Sequence, residues 1–425
     1  VKPIGGELNR CLEVLKHPTE KKTASKSKSS YRAPDQVATD KSAETRKLNL
    51  IPRPDKLKAR MTRQVLEGPI LKENICLKLD RFPSISGDLP AWRKIGGIYG
   101  CAQPTLKGIE MALKETGGQE GRTIEWTNLR AEPVLYIKGQ PYSPKDKNST
   151  ENNFEYPEMT PKQIAEMEAR LKKEVLNKLK KGEKLDFCFP QAAGGYCLTE
   201  LPAGEIKTMS EVYQELGKKY PMLDFKRIAI NDRKRPDDKD FDALVDRFKD
   251  RSPETSYVTN CMGGWGRTTT AMTVFDIMRT VEQDPDADFT RVPALRQEIK
   301  EEGKGNFGAL KTMLSAGKLA EFTVNQFIVK QDEKDFQAII DNQGKAGCHM
   351  LREVSWGARN NPKRTKDFLD RYLYLAAFFQ YCKEEAPRNY QTSFSLWIKP
   401  RQRKLEVSSQ VLEKLFKLEG KFAGN

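Results

Sequence analysis

Residues 254–281, ETSYVTNCMGGWGRTTTAMTVFDIMRTV, set a thiol and a guanidinium at the two ends of a short glycine-rich turn. Cys261 and Arg267 are separated by Met262, Gly263, Gly264, Trp265 and Gly266. Glycines let successive backbone N–H groups turn inward as a nest, and a following helix start adds orphan N–H groups and a positive dipole end. Such a cup holds a tetrahedral oxyanion. Arg267 adds a planar fork able to grip two phosphate oxygens. That field favours the thiolate form of a cysteine at the loop's start, so Cys261 would lie under the phosphorus as a nucleophile. The competing assignment is a glycine turn beside a buried structural cysteine. The loop's context favours the phosphate cup.

That context is a strand before the loop and a helix after it. Ser256 to Thr259 is β-leaning, and from Thr268 the apolar residues Ala271, Met272, Val274, Phe275, Ile277, Met278 and Val281 recur at helical spacing. A phosphocysteine route also needs an acid to protonate the leaving oxygen. Asp232, in IAINDRKRP, follows an apolar strand (225–230) and precedes a helix of about 238–249 that carries Phe241, Leu244, Val245 and Phe248 on one face. An Asp ahead of a proline is as readily a turn or capping residue, so the residue alone leaves both roles open.

Composition narrows the partners. The 425 residues carry a formal net charge of +15, with 37% hydrophobic and 31% charged residues. An excess of cations suits an anionic partner or simply a solubilising surface. No array of stacking aromatics and basic residues stands out, which argues against nucleic acid. No apolar run approaches the ~20 residues of a membrane span. The eight cysteines (11, 76, 101, 188, 197, 261, 348, 382) form no CxxC pair, and His17 and His349 are the two histidines. A zinc site is not expected, nor a histidine to activate Cys261. Scattered thiols point to a reducing, cytoplasmic compartment without disulfides. The chain begins at Val1 rather than at a methionine, which leaves a preceding targeting segment open.

In order, residues 1–65 are Lys-, Ser- and Thr-rich with few aromatics, and are expected to form a basic disordered arm. Residues 66–401 read as the globular domain and 402–425 as a tail with one last amphipathic helix (410–416). Thr105 and the Gly117-Gly118 pair bracket a helix. Strands are expected over 124–129 and 134–137, and a strand and turn over 185–201. Thr160, Pro161 and Gln163 have the order of a capping box, opening a long helix that Gly182 ends. A further helix spans 209–216. Beyond 285 the chain reads as mainly helical, with Phe368, Tyr372, Tyr374, Phe378, Phe379 and Tyr381 as core aromatics. Strands alternating with helices imply an α/β open sheet flanked by helices, with the site at a strand's carboxyl end.

The Cys261-to-Thr270 segment resembles the signature loop of the cysteine-dependent tyrosine-phosphatase superfamily. Its triple threonine points to the phytase-like branch and to paladin-type sequences. Asn128 to Gly139 resembles that branch's Leu-Arg-x-Glu segment, and Tyr99 to Thr105 its Gly-x-x-Gln-Pro-Thr segment. Arg371 to Tyr374 and Ser393 to Trp397 are also similar to paladin-type sequences. The resemblance covers about 66–401 in one copy and implies a tyrosine-phosphatase-like fold. It also implies that Asp232, 29 positions before Cys261 and four before Pro236, is the general acid. Asn260 departs from the histidine that many superfamily members carry there.

The expected activity is hydrolysis of phosphomonoesters of phytate or another inositol polyphosphate. Cys261 would attack, with Arg267 and the loop amides stabilising the transition state and Asp232 as acid. Thr268 would hydrogen-bond Cys261. Met262, Gly263, Gly264, Trp265, Gly266, Arg130, Arg233, Lys234 and Arg235 would bind substrate, with no metal or cofactor. A protein tyrosine, dual-specificity or phosphoinositide phosphatase stays open, as does a non-catalytic phosphate-binding protein. Delivery into a host cell as a bacterial effector is a further expectation; oligomeric state is not legible.

Overall fold

The computed structural model describes residues 68–80, 87–148, 154, 156, 159–188, 196–198, 203–232, 234–264, 266–287, 362–402 and 405. The basic arm, the tail helix and the segment 288–361 lie outside the described residues. In chain order the elements are β1 (Ile75–Leu79), β2 (Arg93–Ile95), β3 (Ile98–Cys101), α1 (Leu106–Glu115), β4 (Ile124–Arg130), β5 (Leu135–Ile137) and β6 (Gln140–Asp146). Then come α2 (Pro161–Lys180), β7 (Leu185–Cys188), β8 (Tyr196–Leu198), β9 (Ile206–Thr208), α3 (Met209–Lys219), β10 (Leu223–Ile230) and α4 (Asp238–Phe248). The last are β11 (Ser256–Asn260), α5 (Gly266–Gln283), α6 (Pro362–Glu385) and α7 (Phe394–Ile398).

The expected open sheet is present, in the order β10-β4-β11-β3-β2. Its first four strands are parallel, and β2 returns antiparallel on the edge. Every residue of β11 is buried, as expected of a parallel strand covered on both faces. Successive residues alternate sides. Tyr257 packs with Phe248 and Phe275 below helices α4 and α5, whereas Val258 joins Trp126, Ile109, Val212 and Tyr213 on the face of α1 and α3.

A second sheet, β8-β7-β1-β6-β5-β9, was not expected from the sequence. The reason is physical. β6 contains Pro141 and Pro144 yet lies between β1 and β5. Proline donates no ladder hydrogen bond and ordinarily marks an edge or a break, so the strand signal is masked. β5, β8 and β9 are three residues each, too short to show a period.

Helix signals fare better. Thr160 accepts from the Gln163 N–H while the Gln163 side chain returns to the Thr160 N–H, the reciprocal capping box expected at α2. Thr105 caps α1 and Gly117 follows it with φ +86°. Helix α5 begins at Gly266, two residues ahead of the apolar period.

One expectation is corrected. Cys76 on β1 and Cys188 on β7 form a disulfide across neighbouring parallel strands, with Cα atoms 6.1 Å apart. The two stand 112 residues apart, so no local spacing announces the pair. Cys101, Cys261 and Cys382 are buried free thiols.

The aromatic stripe of α6 is core where its side chains are described, at Tyr374, Phe378, Phe379 and Tyr381. Those of Phe368 and Tyr372 lie outside the described residues. Phe394 of α7 centres the cluster, with ring centroids 4.8 Å from Phe241, 5.3 Å from Tyr381 and 5.4 Å from Phe378. Phe394→Ala should therefore cost about 3–5 kcal/mol. A urea unfolding midpoint within error of wild type would show that α7 is not part of this core.

Candidate active site

Strand β11 delivers the chain to Asn260, and the loop turns back over the carboxyl end of the parallel sheet. Gly264 is where the turn is tightest. Its φ is +74°, and a Cβ there would lie 2.6 Å from the Ala102 nitrogen and 2.8 Å from the Cys101 carbonyl carbon. Both the backbone region and the space demand glycine. The Gly264 N–H donates to the Cys261 sulfur at 3.2 Å, so the turn aims a backbone donor at the thiol. At Gly266 a Cβ would meet the Arg371 guanidinium at 2.7 Å.

Arg267 is buried at the start of α5, with its donors divided. Nη1 donates to both Glu132 carboxylate oxygens, at 2.9 and 3.1 Å, and to the Ile230 carbonyl at 2.9 Å. Nη2 pairs with Asp232 Oδ1 at 3.2 Å. Nε has no protein partner although it is buried. One edge of the guanidinium is thus anchored by protein, and a charge-assisted donor is left for an anion.

Glu132 is what anchors it. Its carboxylate also pairs with Arg130 Nε at 3.1 Å. Burial alone would push this carboxyl up, but the Arg267 and Arg130 guanidiniums and Lys145 hold it down to about 2. Arg130, expected to bind substrate, is fully buried and serves this network. Its Nη1 reaches Asp80 at 2.6 Å and Gln103 at 3.3 Å, and its Nη2 alone lacks a partner.

Asp232 and Cys261 are far apart in sequence, and the structure brings them to the same arginine. Asp232 is about one-third exposed, at the rim of the site. The Lys234 carbonyl of the same loop accepts from Arg371 Nε at 3.0 Å, so α6 ties the Asp232 loop to the start of α5. Arg235 turns to other partners. Its guanidinium lies 3.6 Å above the Tyr374 ring and pairs with Asp238 at 3.3 Å, which is structural work. Thr268 donates to the Cys101 carbonyl at 3.3 Å and not to Cys261, a correction to its expected role. Arg233 and Trp265 lie outside the described residues.

Asn260 faces away from the thiol. Its Oδ1 accepts from Trp126 Nε1 at 2.9 Å and Asn128 Nδ2 at 3.2 Å, and its Nδ2 donates to Gln103 at 3.3 Å. The residue locks β11 to β4 and to the Gln-Pro-Thr segment.

The second sheet supplies cations that went unrecognised. Pairing of β1 with β6 sets Lys78, Asp80, Ser143 and Lys145 on one face, opposite Leu77, Leu79 and Tyr142. Lys145 is buried, with Nζ 3.8 Å from the Met262 sulfur in the loop. Burial lowers its pKa to about 8, against the opposing pull of Asp80 and Glu132. Lys78 is buried as well. The period-2 signal that would have paired these lysines was broken by the prolines of β6. Among the described residues no group of His, Cys, Asp and Glu gathers to hold a metal, and no helix is long and apolar enough to cross a membrane.

Residues 127–279, from mid-β4 to α5, match the model of the family described as PTP-like phytase, inositol hexakisphosphate. The chain resembles the PTP-like phytases and the paladins. Paladin of Xenopus tropicalis is 27% identical over 334 residues, which is 71% of this chain and 35% of that protein. The chain thus spans about a third of the length of its paladin relatives. The effector protein hopD2 of Pseudomonas syringae pv. tomato is 33% identical over 115 residues, 27% of this chain and 24% of its own. Among solved structures, the tandemly repeated tyrosine-phosphatase-like phytase of Mitsuokella multacida aligns with TM-score 0.47 and 17% identity, covering 78% of this chain and 48% of that one.

Glu132→Gln would leave two buried guanidiniums short of counter-charge and should cost about 3–5 kcal/mol at pH 7. Glu132 has a folded-state pKa below its ordinary 4.5, so its contribution is complete above that value and is lost as pH falls through about 2. Denaturant unfolding curves of wild type and variant should therefore draw together toward acid pH. A gap that stays constant with pH would mean that packing, not charge, is what the substitution removes.

Proposed function

We propose that the chain is a cysteine-dependent phosphatase that hydrolyses phosphomonoesters of phytate and related inositol polyphosphates through a phosphocysteine intermediate. The observation that carries this reading is the divided Arg267. Glu132 and Ile230 hold one side, Asp232 meets the other, and the buried Nε is left to an oxyanion beside Cys261. In the first step the Cys261 sulfur forms a bond to phosphorus as the ester P–O bond breaks, and Asp232 gives its proton to the departing inositol oxygen. In the second, Asp232 takes a proton from water, whose oxygen displaces sulfur and frees inorganic phosphate. Arg267 and the loop amides stabilise the charge on the transferring phosphoryl oxygens.

The substrate class rests on charge. A phosphotyrosine needs one phosphate grip, whereas a polyphosphorylated ring needs many cations, since each desolvated phosphate is costly without a partner. Lys145 beside Met262, with Lys78 on the same face of the second sheet, adds positive charge beyond the Arg267 grip that one phosphate requires. The match to the inositol-hexakisphosphate family supports the same choice. The hopD2 similarity extends the idea to a protein delivered into a host cell, on a 115-residue stretch alone.

A binding-only protein is the second reading. Asn260 and Thr268 both spend their hydrogen bonds away from the thiol, which leaves Cys261 without two of its customary activators.

Purified protein should release phosphate from phytate in the presence of EDTA. Cys261→Ser should abolish turnover yet retain binding, and Asp232→Asn should slow the first step. Phosphate release by the Ser variant at the wild-type rate would falsify the covalent route. Phytate binding without turnover in the wild type would select the second reading.

Lys145 gives a pH test as well. Its ammonium is lost as pH rises through about 8, so KM for phytate should climb above that value. Lys145→Met should raise KM at pH 6 and flatten the climb. An unchanged profile would remove Lys145 from the binding site.

A further inference from the structure

Besides Arg267, which closes the loop, a second arginine bonds to it, Arg93 of the edge strand β2. Its Nη2 donates to the Gly264 carbonyl at 2.6 Å and to Thr269 Oγ1 at 3.0 Å, and its Nη1 to the Ala91 carbonyl at 3.1 Å. Gly264 is also the residue whose N–H donates to the Cys261 sulfur. The Gly264 carbonyl lies in the peptide plane after that N–H, joined to it through the φ +74° glycine, so Arg93 restrains the far side of the hinge that aims the N–H at sulfur. The turn that presents Arg93 is itself secured. Ala91 adopts φ +53°, Pro90 accepts from the Ala102 N–H at 2.8 Å, and Trp92 stacks on Tyr99 at 5.2 Å. Burial lowers the Arg93 pKa, and the Cys261 and Cys101 sulfurs act in the opposite direction, so the guanidinium and the thiol lie within electrostatic reach.

Asn260 has no part in this. Its three hydrogen bonds point into the β4 network, so whatever a charged residue at 260 would do for the thiol must come from elsewhere. We propose that Arg93 is the positioning residue that steadies the Gly264 amide on Cys261 and supplies positive charge for its thiolate. The inference deepens the phosphatase reading and rests on it for its catalytic meaning. The thiol chemistry can be read without any substrate.

The experiment follows the iodoacetamide alkylation rate of Cys261 against pH, by mass analysis of its peptide, in the full-length chain. Arg93→Met should move the profile to higher pH by about one unit. Arg93→Lys, which keeps charge but loses the fork, should fall between. Lys94→Met, on the exposed face of the same strand, should leave the profile in place. In parallel, phytate kcat should fall at least tenfold in Arg93→Met with KM changed less than threefold. A thermal melt shows whether Arg93→Met folds; if it does not, the Lys variant alone decides. An alkylation profile in a folded Arg93 variant that superimposes on wild type overturns the inference, whatever happens to kcat. Shifted alkylation in a protein that turns over no phosphate ester would sustain the Arg93 assignment while removing the phosphatase reading.

Discussion

The site depends on one carboxylate held between two guanidiniums. Glu132, at the end of the Leu-Arg-x-Glu segment, bonds Arg130 on one side and Arg267 on the other, and all three are buried. Removing such charges from water costs several kcal/mol each unless geometry and further hydrogen bonds compensate. Here they do, through Asp80, Gln103 and the Ile230 carbonyl. The consequence is orientation. With Nη1 committed to Glu132, the Arg267 fork cannot rotate, and its Nε edge is fixed relative to the thiol at the loop's other end. A flexible lysine at 267 would hold charge but not direction.

Both sheets converge on that carboxylate. β4 carries Arg130 into it, β10 ends at the carbonyl that Arg267 also grips, and β1 brings Asp80 to Arg130 from the second sheet. Asp80 also accepts from Ser143 on β6 at 2.7 Å, so the β1–β6 pair is tied to the same network. Gln103 bonds Arg130, Asn260 and Tyr136 together, which links the start of α1 to the signature strand. The polar interior is therefore one connected structure. Disturbing it at Glu132 reaches Arg267, the Asp232 loop and the second sheet alike.

How much of this the sequence revealed follows from the range of each signal. The loop, its strand and its helix are contiguous, and the Thr160-Pro161-Gln163 cap is local, so both were legible. Asp232 was singled out because a family spacing tied it to Cys261, and the structure sets it against Arg267; on local grounds it was as readily a turn residue. Lys145 was lost because prolines at 141 and 144 hid the alternation of β6. Arg235 was misjudged for the opposite reason. A run of three basic residues beside the acid looked like a substrate rim, yet the nearest aromatic, Tyr374, comes from a helix 139 residues later and takes the guanidinium. Thr268 was assigned by proximity in sequence, and the helix geometry turned its hydroxyl to Cys101 instead. The Cys76–Cys188 bridge needed knowledge of which strands are neighbours.

Charge explains why the second sheet belongs to the site at all. Around the loop, among the described residues, Arg130, Arg267, Arg371, Lys78 and Lys145 are buried cations, while Asp80 and Glu132 are buried anions. Asp232 adds a third carboxylate at the rim, where it pairs with Arg267. Arg267 is thus held between two carboxylates, Glu132 in the interior and Asp232 at the rim, and its buried Nε is the donor that neither of them takes. The second sheet adds charge at the loop through Lys145, 3.8 Å from the Met262 sulfur, and it is the β1–β6 pairing rather than any local sequence signal that brings this lysine there.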